Sequence, residues 1–293
     1  MNKSRFQIAK PDIIRFFDEL PTRIHRQSDI AEHLRQQREF WRLSQDASTR
    51  KFIKLLIEAG RLTETIFPFP SPYKREVRYA WGNVSFYEVM QSIKPDCYFS
   101  HYTAAKFHGL TEQLPKTNYL TVEQFNASIS SGEMTQGSID RAFQGKPRVS
   151  SNVAESKDFR ICIVQGKNTG RLGVVEQMVI PDARPLRLTN LERTLIDITV
   201  RPIYAGGVFE VAKAFELAKD KLSVNALTAM LKNLKYTYPY HQAIGFYLER
   251  AGYKASYVDL LRNQPMKFDF YLTHKMGATD YIQSWRLYVP KGF

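Results

Sequence analysis

The sequence predicts a mixed α+β protein of two domains: three short helices closed by a β-hairpin, then a larger α+β segment ending in a run of helices. Three observations predict it. The chain has 293 residues, more than one typical domain of about 100–200 residues. Apolar residues make up 43% of it and aromatics 13%, enough for packed cores and unlike a disordered chain. The hydrophobic pattern switches from helical spacing to alternation near residue 61 and returns to helical spacing after residue 189.

Residues 1–82 form the first predicted domain. Asp12 to Leu20 places Ile13, Phe16, Phe17 and Leu20 on one helical face, with Pro11 suited to the first turn. Ser28 is positioned to cap a second helix with Ile30, Ala31 and Leu34 inward. In the third helix Phe52, Leu55, Leu56 and Ala59 repeat at i, i+3, i+4 and i+7, and Gly60 stops it. Its other face carries Ala47, Arg50, Lys51 and Lys54. Two β-like runs follow, 61–67 and 77–81, joined by the proline-rich "PFPSPYKR".

This order is the winged helix-turn-helix layout. There, short polar and basic residues at the start of the third helix reach base edges, and the cations of the hairpin meet phosphate. Gln45, Ser48 and Thr49 are therefore expected nearest the bases, with Arg50, Lys51 and Lys54 facing DNA and Lys74, Arg75 and Arg78 on the wing. Charge agrees: residues 1–82 hold 16 Lys and Arg against 10 Asp and Glu, whereas the other 211 residues hold 26 against 19. A net charge of +13 favours a polyanionic partner, because neutralised phosphates release condensed counterions. Double-stranded DNA is the expected partner.

Residues 83–293 form the second predicted domain: strand-containing over 97–188, mainly helical over 189–262, with a β-like tail over 267–293. Residues 123–157, rich in Ser, Gly and charge around a short helical stretch at 133–143, read as a long loop or insertion. Ser100 is a plausible cap for a helix ended by Gly109. No apolar run nears the roughly 20 residues of a membrane span, and no signal region follows the basic start, so a cytoplasmic protein is expected. Cys97 and Cys162 lack metal-ligand spacing and read as buried free thiols.

The most charged motif is "LTNLERTLIDITVRPIYAGG", 188–207. Thr189 and Glu192 fit a capping box, Arg193 and Asp197 an i, i+4 helix ion pair, worth a few tenths of a kcal/mol where exposed, and Arg201 a cation at the helix C-terminus. Leu191, Leu195, Ile196 and Ile198 supply the buried side. Glu192 and Asp197 lie about 140° apart around the helix, which separates the carboxylates rather than pairing them for acid–base work. Gly206-Gly207 lacks the neighbours of a phosphate loop, and no nucleophile elbow or zinc-protease motif occurs. His101 and His108 have no third ligand at metal spacing. A non-enzymatic protein without cofactor or metal is the expectation. A winged-helix-targeted nuclease or nucleotide-processing enzyme using Asp269 or Asp197, or a ligand-sensing transcriptional regulator, are the alternatives.

Two segments, "FSHYTAAKFHGLTEQLPKTNYLT" (99–121) and "RLTNLERTLIDITVRPIYAGGVFEVAKAF" (187–215), resemble the signature segments of AbiEi-type antitoxins of bacterial abortive-infection toxin–antitoxin systems. Ser100, Tyr102, Ala104, His108, Gly109, Leu110, Thr111 and Pro115 match the first segment. Glu192, Thr194, Leu195, Asp197, Arg201, Pro202, Gly206, Gly207 and Glu210 match the second. The resemblance implies an N-terminal winged helix that binds operator repeats and represses its own operon. It also implies a C-terminal antitoxin domain that counters a nucleotidyltransferase-like toxin, with or without direct contact. Thr189 and Arg193, inside the second segment, complete the expected motif set.

Overall fold

The computed structural model describes residues 5–124, 133–181 and 183–293. The chain divides into two compact units. One is Met1–Pro95 with Ala154–Ser156 and Ile180–Arg184; the other is Asp96–Val153, Lys157–Val179 and Pro185–Phe293.

The first unit runs α1 (Arg5–Glu19), β1 (Ile24–His25), α2 (Gln27–Gln37), α3 (Thr49–Glu58), β2 (Leu62–Phe67), β3 (Glu76–Trp81) and α4 (Phe86–Gln91). This is a winged helix-turn-helix. Strand β3 lies between β1 and β2, with Ile24 opposite Ala80 and Leu62 opposite Trp81. The core forms where Phe17 stacks on Trp81 (centroids 4.7 Å apart) and Trp41 on Phe52 (5.7 Å).

Several local expectations shift. Helix α1 starts seven residues earlier than expected, and Pro11 lies inside it rather than in its first turn. Ser28 does not cap α2; the helix begins at Gln27, where the Asp29 carboxylate accepts the Arg26 N–H at 2.7 Å, a charge-assisted bond stronger than a hydroxyl offers. In α3 the inward residues are Phe52, Ile53 and Leu56, while Leu55 remains 36% exposed, so the helix is rotated from the expected stripe.

The elements that follow are β4 (Tyr98–Phe99), α5 (His101–Phe107), β5 (Asn118–Glu123), α6 (Gln136–Gln144), β6 (Val153–Glu155, whose Ala154 and Glu155 count with the first unit), β7 (Arg160–Gly166), β8 (Val174–Gln177) and β9 (Leu186–Thr189). Helices α7 (Leu191–Val200), α8 (Val208–Leu217), α9 (Val224–Leu234), α10 (Tyr240–Arg250) and α11 (Ala255–Arg262) follow, then β10 (Phe270–Tyr271), β11 (Thr279–Ile282) and β12 (Leu287–Pro290). The mixed six-stranded sheet has the order β6-β7-β5-β4-β9-β8, with β5 parallel to β7, β4 parallel to β9, and antiparallel pairs β4–β5 and β8–β9. Ile161 to Val164 are all buried, as expected of a strand covered on both faces.

The stretch read as a loop or insertion supplies part of the core: Ile139 and Phe143 of α6 are buried with the helices that follow. Residues 125–132 of that stretch lie outside the described residues. Within the expected β-like tail, strand β11 pairs with β12, although its Thr279–Ile282 run is exposed or half-exposed and carries no apolar pattern. Helix α10 is buried along nearly its whole length, and Gly245 lets it lie directly against the Trp285 ring. Among the described residues no helix is long and apolar enough to cross a membrane.

Candidate nucleic-acid interface and motif cluster

Helix α3 presents its N-terminus without an acidic residue in the first turn, an end whose free N–H groups and dipole favour phosphate. Ser48 is its N-cap, and the Ser48 hydroxyl accepts the Lys51 N–H at 3.3 Å. That acceptor is thereby committed, although Ser48 remains exposed. Gln45, Arg50 and Lys51 are exposed and Thr49 half-buried; Lys54 meets Glu58 at 3.7 Å on the surface, a pair of little worth. On the wing Lys74 and Arg75 are exposed between β2 and β3.

Burial first, then Glu64, pushes the Tyr79 hydroxyl up to about 12, and Arg75 and Arg50 both oppose the shift. The cations of the helix and of the wing thus act on one phenol.

Arg78 corrects the expected set. It is 2% exposed, donating to the carbonyls of Ser92 (3.1 and 3.2 Å), Ile93 (3.0 Å) and Val77 (2.8 Å) and to Glu76 (3.0 Å). Its donors are consumed inside the fold, leaving none for phosphate. Sequence reasoning placed it outside because alternation on a strand names two faces without saying which is covered. It also passed over Arg38, which donates to the carbonyl of Ala47 (3.0 Å) and so supports the turn before α3.

In the second unit the two motif segments meet. Tyr102 OH donates to Glu210 (2.7 Å), and His108 Nε2 donates to the Thr189 carbonyl (2.7 Å). Gly109 ends α5 at φ 68, and Gly206 and Gly207, at φ 80 and 102, carry the chain from the turn Pro202–Ala205 into α8. Ser100 sits at the cap position, but its hydroxyl bonds Thr121 Oγ1 (2.7 Å) and His101 Nδ1 (2.8 Å) instead of the helix.

The expected capping box at Thr189 moves by one residue. Thr189 is still paired in β9, opposite Val174, so Asn190 caps α7 by accepting the Arg193 N–H at 2.9 Å. Glu192 instead accepts the Ser223 N–H at 3.3 Å.

The i, i+4 ion pair forms and is buried: Arg193 is 4% and Asp197 6% exposed, with Nε to Oδ1 at 2.8 Å. Residues 193–199 are buried in succession, so α7 has no solvent face there. Burial raises the Asp197 carboxyl, and Arg193 offsets part of that. Burial weighs against the guanidinium too, but Asp197 outweighs it and holds Arg193 charged. Arg193 also donates to the Leu172 carbonyl at 2.7 Å.

A solved structure shares this fold. It is the crystal structure of the RV2827C protein from Mycobacterium tuberculosis, with a TM-score of 0.60 over 96% of this chain and 91% of that one, at 12% identity. No protein-family model matches the chain, and no curated protein matches it in sequence. At that identity the likeness to RV2827C is one of fold, and it reaches across the helices and sheets of both units.

Within this shared fold, a small recess of about 80 Å³ opens on the motif cluster, lined by His101, Arg193, Asp197, Arg201 and Tyr236 among others. His101 sits at φ 50, an unfavourable conformation for a non-glycine residue. Burial, then Arg201 and Arg193, lower its ring to about 3, so the imidazole is neutral at pH 7. The carboxylate of the nuclease alternative, Asp269, accepts from Arg286 Nε and Tyr281 OH, both at 2.8 Å.

Proposed function

We propose that the chain is a non-enzymatic DNA-binding autorepressor and antitoxin of the AbiEi type, acting in the bacterial cytoplasm on operator repeats in its own promoter. The observation that carries the reading is the winged helix itself. Arg50 and Lys51 on α3 and Lys74 and Arg75 on the wing are exposed, and none has an ion-pair partner among the described residues. A second support is that the two segments resembling the antitoxin signatures are joined through Tyr102–Glu210 and His108–Thr189. The ion pairs of Asp197 with Arg193 and of Asp269 with Arg286 favour structural roles for these carboxylates over those of the nuclease alternative.

Operator repeats would be met by two copies, as a dimer or as two cooperative monomers. A gel-shift titration on the promoter tests the DNA arm: Arg50→Ala/Lys54→Ala should weaken binding by roughly tenfold or more, the scale of losing two phosphate contacts. Wild-type affinity in that variant would reject the assigned face. Co-expression with the neighbouring gene, scored by growth rescue, tests the antitoxin arm. It should succeed if that gene encodes a nucleotidyltransferase-like toxin.

A further inference from the structure

Beyond the recess, the second unit holds a larger cleft of about 570 Å³, within the roughly 300–1,000 Å³ range of small-molecule sites. The two cavities share Lys167, Val200, Arg201 and Tyr236 along their walls. Lys146, Arg148, Lys167 and Arg201 line the cleft and no carboxylate does. None of these four cations has an ion-pair partner among the described residues. Cations gathered without acids repel one another, and an anionic ligand relieves the repulsion.

The remaining wall is aromatic. Tyr236, Tyr238, Tyr240 and His274 line it. Tyr238 and His274 are braced from behind by Phe143, at 5.2 Å edge-on and 4.3 Å stacked. Two of the cations are already placed. Lys167 Nζ is held by the carbonyls of Leu234 (3.1 Å) and Lys235 (2.7 Å), and the Arg201 guanidinium lies 5.9 Å from the Tyr204 ring centre.

His101 adds an independent observation. It is 6% exposed and lines the recess, and its Nδ1 is taken by Ser100 at 2.8 Å. Its left-handed backbone is the kind of strain that gathers at ligand sites.

We propose that this cleft binds a nucleotide, its phosphates meeting Lys146, Arg148 and Arg201 and its base packing against the tyrosine wall. Anion recognition alone needs no aromatic surface, and aromatic stacking alone needs no unpaired cations; a phosphorylated nucleobase uses both. The site lies wholly in the second unit and does not depend on the DNA-binding reading. A free nucleotide is the source favoured by a cleft of this volume; the end of a single-stranded nucleic acid is the other source of the same chemistry.

Calorimetric titration of the full chain with ATP, CTP, pyrophosphate and a short 5′-phosphorylated single strand tests it. A nucleotide should saturate one site with Kd on the order of 10 μM, and pyrophosphate should bind more weakly. Lys146→Ala/Arg148→Ala, at exposed positions, should weaken the nucleotide by about tenfold or more. Tyr238→Leu should weaken the nucleotide and leave pyrophosphate unchanged. Lys219→Ala/Lys254→Ala, which removes the same charge outside the cleft, should bind as wild type. The proposal is overturned by no saturation up to about 1 mM, by equal weakening in the two lysine-containing double variants, or by binding of the strand alone.

Discussion

His25 is 2% exposed in the core of the winged helix, its ring 5.6 Å from that of Phe17 and 5.7 Å from that of His33. Burial first, then the neighbouring His33, brings it from 6.5 down to about 4. The folded ring is therefore neutral where the unfolded chain takes up a proton. Stability is unaffected above pH 6.5 and falls as pH drops toward 4, with a slope approaching about 1.4 kcal/mol per pH unit. Urea unfolding followed by the fluorescence of Trp41 and Trp81 should show that loss, and His25→Gln should flatten it. An undiminished slope in the variant would assign the loss to other groups. Side chains such as this one were hardly legible beforehand. His25 lies in a two-residue strand, too short for a period, and the burial of Arg78 depends on the carbonyls of Ser92 and Ile93.

Helix α10 shows how an element's sequence and its packing can point opposite ways. Alanine in place of Gly245 would gain about 1 kcal/mol of helix propensity. A Cβ there would stand 2.2 Å from the Trp285 ring, which is fully buried beneath Gly245. Overpacking of this kind costs about 1–3 kcal/mol or more, so the clash wins. Gly245→Ala should lower the thermal midpoint of the second unit, read through Trp285; an unchanged or raised midpoint would refute the close approach. Elements with a strong period were readable: α8, α9, α10 and α11 all fall within the stretch expected to be mainly helical, 189–262. Helix α6, at Gln136–Gln144, agrees with the short helical stretch expected at 133–143; its place in the core was not legible, although Ile139 and Phe143 are four apart and face one core. Nine residues offer too few turns for a period to outweigh the surrounding Ser and Gly.

Over the whole molecule, charge decides more than any single contact. The net +13 makes every polyanion interaction salt-dependent, so affinity at one ionic strength says little about specificity. For promoter DNA the plot of log K against log salt should lose about 1.8 in slope when Arg50 and Lys51 are both replaced by Ala, about 0.9 for each phosphate contact removed. Titrations from about 50 to 200 mM salt would measure this. An unaltered slope would place those two side chains away from the backbone.

Composition, period and spacing sufficed for the α+β class, the winged helix and most helices, because each of these is written in neighbours a few residues apart. The same local signals left the depth of the charged motif open. Read along α7, Arg193 and Asp197 are an i, i+4 ion pair whose exposure the spacing does not fix. In the folded chain they are enclosed, because residues 193–199 are covered on every side. The bond between Tyr102 and Glu210 spans 108 positions, and the cleft is lined from the α6–β6 connection, the β7–β8 connection, the turn after α7 and the segments after α9 and β10. Contacts of that range carry no period. They exist only once hydrophobic burial has brought the elements together, and it is there that a scattered set of lysines, arginines and tyrosines comes to line one cleft.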